Sequence, residues 1–195
     1  MAVRVAINGF GRIGRLVFRA AMEHASREIV IVAINDLGPV ETNAHLLRYD
    51  SVHGRFPGEV KVEGDTIDAG FGPIKVTAVR DPAELPHKAL SVDIALECTG
   101  LFTSKDKASA HLKAGAKRVI VSAPADGVDK TIVYGVNHQT LTKDDLVISN
   151  GSCTTNCLAP VAKVLLDLCG LERGYMTTIH SYTGDQPTLD TLHKD

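Results

Sequence analysis

Three glycines with the spacing G-x-G-x-x-G constrain the fold of this chain more than any other feature. Gly9, Gly11 and Gly14 directly follow an apolar run at residues 3–7 and lead into a helical pattern at residues 15–23. In such a loop the first glycine permits a tight turn, the second lets a pyrophosphate approach the backbone, and the third lets helix and strand pack closely. This position between a strand and a helix predicts a dinucleotide-binding βαβ unit.

Apolar runs rich in valine and isoleucine recur along the chain and alternate with helical patterns. Continuous apolar strands of this kind belong to parallel sheets that helices cover on both faces. We therefore predict an α/β fold, with a Rossmann-type, mostly parallel sheet in residues 1–150. We expect strands at residues 3–7, 29–34, 92–96, 119–121 and 146–148, helices at 11–23, 40–48 and 104–114, and an antiparallel hairpin within 60–67.

A second unit is predicted to begin at residue 151. Residues 153–168 have a helical pattern that contains Pro160, which removes one backbone hydrogen bond and is expected to kink the helix. Residues 174–180 are expected to form a strand. Little apolar sequence follows before the end at Asp195, and we interpret residues 151–195 as the beginning of a truncated α+β catalytic domain.

Composition argues against several classes of function. The formal net charge is −2 and the basic residues are scattered, so nucleic acid is not an expected partner. The longest apolar run, residues 29–34, is far below the roughly 18 residues of a membrane span. Asn8 and Gly9 interrupt the N-terminal sequence before a signal-peptide core, so we expect a cytoplasmic protein without a membrane partner. No Cys or His spacing matches a zinc motif, and no metal is predicted.

Asp36 follows the second apolar run. A carboxylate at this point accepts hydrogen bonds from both hydroxyls of an adenosine ribose and repels a 2′-phosphate, so NAD is favoured over NADP. The alternative is that Asp36 only caps the helix predicted from residue 40. Arg12, inside the glycine loop, is either a phosphate contact or a solvated residue at a helix start.

Cys153 lies in a polar segment that follows a strand and opens a helix. A thiolate at a helix N-terminus is stabilised by free backbone N–H groups and by the helix dipole. The same N–H groups, with the hydroxyls of Ser152 and Thr154, are suited to bind an oxyanion or a substrate phosphate. Without such neighbours, a lone cysteine is more often a small buried residue.

The other cysteines are not predicted nucleophiles. Cys157 lies one helical turn after Cys153 and is expected to pack, with roles as a resolving thiol, a disulfide partner or half of a metal site left open. Cys98 and Cys169 are expected to be buried or inert. No C-x-x-C pair is present, so free thiols in a reducing compartment are expected.

His180 ends the strand predicted at residues 174–180. It is expected to project towards Cys153, where an imidazole forms an ion pair with the thiol and serves as general base and acid. The alternative is a surface or core histidine without a catalytic role.

The segments at residues 7–15, 149–160 and 177–186 together closely resemble the glyceraldehyde-3-phosphate dehydrogenase family, in its bacterial glycolytic type. The resemblance runs through the whole chain. It implies NAD-dependent oxidation of D-glyceraldehyde 3-phosphate with inorganic phosphate to 1,3-bisphosphoglycerate, by way of a cysteine hemithioacetal and a thioester. It also implies a homotetramer.

The same resemblance assigns individual residues. Cys153 would be the nucleophile and His180 its activator. The cofactor would lie at Gly9, Gly11, Arg12, Ile13 and Gly14 for the pyrophosphate, Asp36 for the adenosine ribose, Arg80 for the adenine end, and Thr99, Gly100 and Ser122 for the nicotinamide side. The aldehyde substrate or the phosphates would contact Ser152, Thr154 and Thr183.

Three residues depart from the family pattern, and several alternative functions stay open. Gly151 replaces the alanine usual before the Ser-Cys pair, and Gly184 and Pro187 stand where the family often has Asn and a larger residue. A related erythrose-4-phosphate dehydrogenase is an alternative, although Thr183 favours the glyceraldehyde type. If the chain ends at Asp195, a non-catalytic NAD-binding fragment is another. A cysteine hydrolase would leave the glycine loop unexplained.

Overall fold

The computed structural model describes residues 2–24, 28–70 and 72–181. Within these ranges most strands form one nine-stranded sheet, and β3 and β4 form a separate pair. The strands, in chain order, are β1 (Val3–Asn8), β2 (Ile29–Asn35), β3 (Tyr49–Asp50), β4 (Gly54–Arg55), β5 (Lys61–Glu63), β6 (Thr66–Asp68), β7 (Pro73–Thr77), β8 (Ile94–Glu97), β9 (Arg118–Val121), β10 (Lys130–Thr131) and β11 (Val147–Ser149).

The large sheet has the strand order β10-β11-β9-β8-β1-β2-β7-β6-β5. All neighbouring strands from β10 to β7 are parallel, whereas β6 and β5 pair antiparallel. The run β7-β2-β1-β8-β9-β11 follows the 3-2-1-4-5-6 order of dinucleotide-binding sheets, in which the order reverses beside the first strand. The predicted α/β class is confirmed.

The hairpin predicted within residues 60–67 is confirmed and forms one edge of the sheet. Val62 of β5 pairs with Ile67 of β6 across a turn at Gly64, whose φ is 58°. Ile67 is fully buried, whereas Lys61 and Glu63 are exposed. This alternation follows from the period of two in a strand with one buried face.

The helices of the described ranges are α1 (Arg12–His24), α2 (Val40–Arg48), α3 (Lys105–Ala108), α4 (Ala110–Lys113) and α5 (Cys153–Cys169). The bounds predicted for α2 are confirmed. The single helix predicted over residues 104–114 is wrong, because it divides at Ser109. The Lys105 carbonyl accepts hydrogen bonds from both the Ser109 N–H at 2.9 Å and the Ser109 hydroxyl at 2.6 Å, and such back-bonding bends helices. None of the described helices is long and apolar enough to cross a bilayer.

Both faces of the central strands are packed. On one face Phe18 of α1 is fully buried and meets the ring of Phe10 edge-to-face at a centroid distance of 5.8 Å. On the other face, Ala6 and Ala33 belong to a separate cluster of small side chains with Val92. Alternate residues of β1 therefore face two different cores, as expected for a parallel sheet between two layers.

Helix α5 contrasts with this core, since none of its residues is buried. The strand predicted for the segment after it, residues 174–180, is wrong. These residues have no regular structure, and Tyr175 and Ile179 are fully exposed. A strand needs a neighbour for its backbone hydrogen bonds, and no strand in the described part of the chain pairs with this segment.

Candidate active site

The predicted site residues follow the carboxyl ends of the parallel strands, so they lie on the same side of the sheet. Asp36 follows β2, Gly9 follows β1, Thr99 follows β8, Ser122 follows β9, and Cys153 comes soon after β11. The ends of β2 and β11 are separated by four strand spacings, or about 19 Å at about 4.8 Å each. An extended ligand across these ends therefore has one side near Asp36 and the other towards Cys153.

The glycine loop is tightly packed at two positions and open at the third. Gly9 has a φ of +89°, and a Cβ on it would lie 2.7 Å from the backbone nitrogen of Thr99. A Cβ on Gly14 would lie 2.1 Å from the carbonyl oxygen of Gly9. For Gly11, no heavy atom of the described residues lies within 4 Å of the corresponding position. The loop therefore fits a dinucleotide, because its backbone stays accessible to a pyrophosphate at Gly11 and precedes the start of α1.

A pocket of about 350 Å³ opens beside this loop. It is lined by Asp36, Arg80 and Thr99. Three predicted cofactor-binding residues from distant parts of the sequence therefore lie around one pocket. Gly100 and Ser122 are not among its lining residues. The assignment of Thr99, Gly100 and Ser122 to the nicotinamide side stays a prediction.

Asp36 lies between the glycine loop and the segment that leads into α2. Its carboxylate accepts hydrogen bonds from the backbone N–H of Phe10 at 2.8 Å and of Gly38 at 2.9 Å. Helix α2 is preceded by Pro39 and has no side-chain capping bond. The interpretation of Asp36 as a helix cap therefore loses its structural basis, and its carboxylate borders the pocket.

Arg12 begins α1 and forms an ion pair with Asp50 at 3.3 Å. Burial raises the pKa of Asp50, but the amides of His53 and Val52 and the Arg12 guanidinium outweigh it and hold that pKa below its ordinary value. Ile13 beside Arg12 is half-exposed. The phosphate contacts assigned to Arg12 and Ile13 stay predictions.

Cys153 is the first residue of α5 and is exposed. Ser152 caps this helix, and its hydroxyl accepts a hydrogen bond from the Thr155 N–H at 2.9 Å. The amides of Cys153 and Thr154 have no acceptor inside the helix, because the first N–H groups of any α-helix lack one. This helix start is suited to stabilise negative charge at the thiol.

His180 lies at the same helix start. Its Nε2 is 2.9 Å from the hydroxyl oxygen of Thr154, the residue that follows Cys153. His180 thus contacts the residue next to Cys153, although the segment before His180 is not a strand, and its pairing with the Cys153 thiol stays a prediction. Thr183, Gly184 and Pro187 lie outside the described residues.

Ser149 connects the cysteine segment to the neighbouring strand. This residue is fully buried, and its hydroxyl donates to the carbonyl of Ala123 at 2.7 Å and accepts from the N–H of Gly151 at 3.0 Å. Gly151 has a φ of +68°, a left-handed conformation that suits glycine. The loop before Cys153 is therefore fixed relative to the loop that carries Ser122.

The remaining cysteines differ in their surroundings. Burial raises the pKa of the Cys98 thiol to about 11, against the effect of a hydrogen bond with Ser122, so Cys98 is a neutral and unreactive thiol near pH 7. Cys157 and Cys169 are exposed, so the prediction that Cys157 packs is wrong within the described residues, and Cys169 is not buried. The reason is that α5 buries no face there.

Sequence analysis missed a buried polar cluster beside the pocket. Asn8, Asn35 and Glu97 end β1, β2 and β8, and all three are buried. Glu97 accepts a hydrogen bond from buried His111 at 2.8 Å. A polar residue at the end of each of three apolar strands was the available signal, because buried polar groups persist when they are hydrogen-bonded.

A larger pocket of about 460 Å³ lies near the amino end of β9. Arg118, Thr142 and Leu146 line it, and none of the predicted site residues does. Among the residues that the structure describes, no group of three or more His, Cys, Asp or Glu side chains is arranged to hold a metal ion. The smaller pocket is therefore the better candidate for the cofactor.

The chain matches two family models. Residues 3–105 match "Glyceraldehyde 3-phosphate dehydrogenase, NAD binding domain", and residues 152–195 match "Glyceraldehyde 3-phosphate dehydrogenase, C-terminal domain". The chain is 77% identical over 195 residues to the glyceraldehyde-3-phosphate dehydrogenase of Xanthobacter flavus and 71% to that of Cereibacter sphaeroides. It is 58% identical over 196 residues to that of Pseudomonas aeruginosa. These alignments cover the whole chain but only 58 to 59% of the relatives' lengths.

Proposed function

Because the chain belongs to the glyceraldehyde-3-phosphate dehydrogenase family and carries its NAD-binding domain, we propose a function for the whole protein. It oxidises D-glyceraldehyde 3-phosphate to 1,3-bisphosphoglycerate with NAD and inorganic phosphate. The observation that carries this proposal is the start of α5, where Cys153 lies beside the hydrogen bond between Thr154 and His180. This start is on the same sheet edge as the dinucleotide pocket.

We propose that residues 1–150 form the NAD-binding unit and that residues 151–195 begin the catalytic domain. The two family models match on either side of this boundary, which supports the division. The end of the buried core before α5 supports it as well.

The residues present would hold NAD at the strand ends. Gly9, Gly11 and Gly14, with Arg12 and Ile13, would hold the pyrophosphate at the start of α1. Asp36 would accept the ribose hydroxyls and Arg80 would contact the adenine end, while Thr99, Gly100 and Ser122 would lie towards the nicotinamide. When bound, NAD supplies a hydride acceptor.

The chain's own residues carry the covalent steps. The Cys153 thiolate forms a bond to the aldehyde carbon, and the oxygen that becomes negative is stabilised by the first amides of α5. His180 gives this oxygen a proton to complete the hemithioacetal, and it takes the proton back as the carbon loses its hydride to the bound acceptor and the thioester forms. Inorganic phosphate then attacks the thioester carbon and displaces the Cys153 thiolate. Ser152, Thr154 and Thr183 would bind the substrate or the phosphates.

We also propose that the protein works as a homotetramer in the glycolysis of the cytoplasm. Membership of the family supports this assembly. The cysteines of the chain are free thiols, which suits a reducing compartment.

Three variants of the full-length protein test the mechanism, in an assay of phosphate-dependent NADH formation from glyceraldehyde 3-phosphate. Cys153→Ser is expected to reduce turnover to background, because a hydroxyl does not form the required thiolate. His180→Asn is expected to lower kcat by about 10²- to 10⁴-fold, the usual contribution of a general acid–base group. Cys157→Ser, one turn further along α5, is the matched control and is expected to retain activity.

Retained turnover in Cys153→Ser contradicts the proposed mechanism. A higher kcat/KM for erythrose 4-phosphate than for glyceraldehyde 3-phosphate replaces the proposed substrate with that of the related dehydrogenase. NAD binding without oxidation of either aldehyde leaves only the cofactor-binding function.

A further inference from the structure

Glu97 is a buried carboxylate at the carboxyl end of β8, with 1% of its surface exposed. Such a group is costly to bury unless its oxygens are hydrogen-bonded. Its Oε1 accepts from the N–H of Thr99 at 2.8 Å and from the Thr99 hydroxyl. Its Oε2 accepts from Nδ2 of Asn8 at 2.6 Å and from Nε2 of His111 at 2.8 Å. All these partners can donate, which suits an acceptor-only carboxylate.

Asn8 and Thr99, which donate to Glu97, both line the NAD pocket. The Thr99 hydroxyl also accepts from the N–H of Leu101 at 3.1 Å, and Leu101 is a lining residue too. One carboxylate therefore fixes Asn8 at the end of β1 and the turn that follows β8. These are the two strands between which the sheet order reverses.

The same cluster continues to β2. Asn8 Oδ1 accepts from Nδ2 of Asn35 at 2.7 Å. Asn35 Oδ1 in turn accepts from the N–H of Val79 and from the hydroxyl of Thr77, both at 2.8 Å. Asn35 and Val79 also line the pocket, so the polar wall on both sides of β1 forms one hydrogen-bonded unit.

Two buried histidines support Glu97 from the side away from the pocket. Nδ1 of His111 and Nε2 of His87 are 2.9 Å apart. Since Glu97 only accepts, Nε2 of His111 is the donor to it. Burial and the neighbouring His111 lower the pKa of His87 to about 4, so His87 is neutral near pH 7. His111 thus joins His87 to Glu97 in one buried hydrogen-bonded chain.

We propose that Glu97 and His111 are positioning residues for NAD, which hold Thr99 and Asn8 in the pocket wall before the cofactor binds. A wall that is ordered in advance spares the ligand the entropy cost of ordering it, and this raises affinity. The inference deepens the NAD site and rests on that part of the proposed function only. It does not depend on the aldehyde chemistry.

The test is calorimetric titration of the full-length protein with NAD in the absence of aldehyde. In Glu97→Gln an NH₂ group replaces one oxygen and faces at least one donor in either orientation, so the dissociation constant is expected to rise about tenfold. Thr99→Val removes the hydroxyl and is expected to raise it several-fold. Thr99→Ser keeps the hydroxyl and is expected to retain near wild-type affinity for NAD.

A double variant separates positioning from an independent contact. If Glu97 acts through Thr99, the combined substitution raises the dissociation constant by less than the product of the two single effects, because both remove the same interaction. Asp129→Asn is the matched control. Asp129 accepts from the N–H groups of Leu146 and Val147, both at 2.9 Å, and neither of these partners lines the NAD pocket. This variant is expected to lower the melting temperature and leave NAD affinity unchanged.

Binding within twofold of wild type in both Glu97→Gln and Thr99→Val would overturn the proposal. Effects that multiply fully in the double variant would also overturn it. If Glu97→Gln does not fold, the two Thr99 variants provide the test. A loss of NAD affinity in Thr99→Val that is equally large in Thr99→Ser would contradict positioning through the hydroxyl. Wild-type protein that binds NAD but oxidises no aldehyde would refute the proposed function alone.

Discussion

The sheet and helix α5 hold their functional residues in opposite ways. In the sheet, the pocket residues Asn8 and Thr99 are fixed by a buried carboxylate, and packed cores lie on both faces. In α5 no residue is buried, and Cys153 and His180 are both exposed. His180 is held at this helix start by its hydrogen bond with Thr154, the residue after Cys153. Within the described residues the pocket wall therefore rests on a packed sheet, whereas Cys153 lies at a helix start that is held by local hydrogen bonds.

Removal of a core ring is the strongest test of this contrast. Phe18→Ala in the 195-residue chain is expected to lower the free energy of unfolding by about 3–5 kcal/mol, as for other buried phenylalanines. Leu166→Ala on α5 removes a side chain that is 56% exposed and is expected to change it by less than about 0.5 kcal/mol. Urea denaturation measures both. Equal losses would mean that α5 is packed in solution and would break the comparison.

Two glycine variants separate packing from cofactor access. Gly14→Ala places a Cβ against the carbonyl oxygen of Gly9 and is expected to cost about 3 kcal/mol of stability by overpacking. Gly11→Ala meets open space and is expected to change stability by less than about 0.5 kcal/mol, yet to weaken NAD binding because the Cβ stands where a pyrophosphate approaches. Thermal melts and calorimetry report the two effects. An unchanged NAD affinity in Gly11→Ala would contradict this use of the loop.

Acid is expected to destabilise the packed region through His87. Its pKa is lowered to about 4 in the folded protein by burial and by His111, against about 6.5 in an unfolded chain. Between these two pH values the unfolded state binds one proton more than the folded state. The contribution of His87 to the free energy of unfolding is therefore fully present above pH 6.5 and is lost as the pH falls towards 4. The loss between pH 7 and pH 5 is expected to be about 2 kcal/mol. Urea denaturation of His87→Gln across this range should show a free energy of unfolding that depends less on pH than in the wild type. An equal pH dependence in both proteins would exclude His87 as the source of the acid destabilisation.

The smallest expected effect concerns the loop before the nucleophile. Gly151→Ala forces a residue with a Cβ to keep a φ of +68° and is expected to cost about 1 kcal/mol. Gly174→Ala is the matched control, because Gly174 has neither a positive φ nor a neighbour near its Cβ position. Urea denaturation compares the two. An equal change in both variants would show that the loop relaxes without strain.

Local patterns predicted much of this fold, and long-range pairing explains what they missed. The glycine loop and α2 are encoded by neighbouring residues and were predicted with their correct places. The strand expected at residues 174–180 failed because a strand depends on a partner from elsewhere. Asn8 and Glu97 are 89 positions apart, so no local pattern reveals their hydrogen bond. The place of Cys153 at a helix start was predictable because the helical pattern and the polar neighbours are contiguous in sequence, and its reactivity stays a prediction.

The two edge strands of the large sheet are very short, and this affects how copies of the protein associate. β10 has 2 residues and β5 has 3. Long exposed edge strands offer unpaired N–H and C=O groups to other molecules and promote aggregation. Lys61 on β5 is exposed, and Lys130 on β10 pairs with Asp145, so each edge also carries charge. Pairing of edge strands between two molecules is therefore disfavoured. Oligomers are instead expected to form through side-chain contacts, and substitutions at such contacts would leave the strands unchanged.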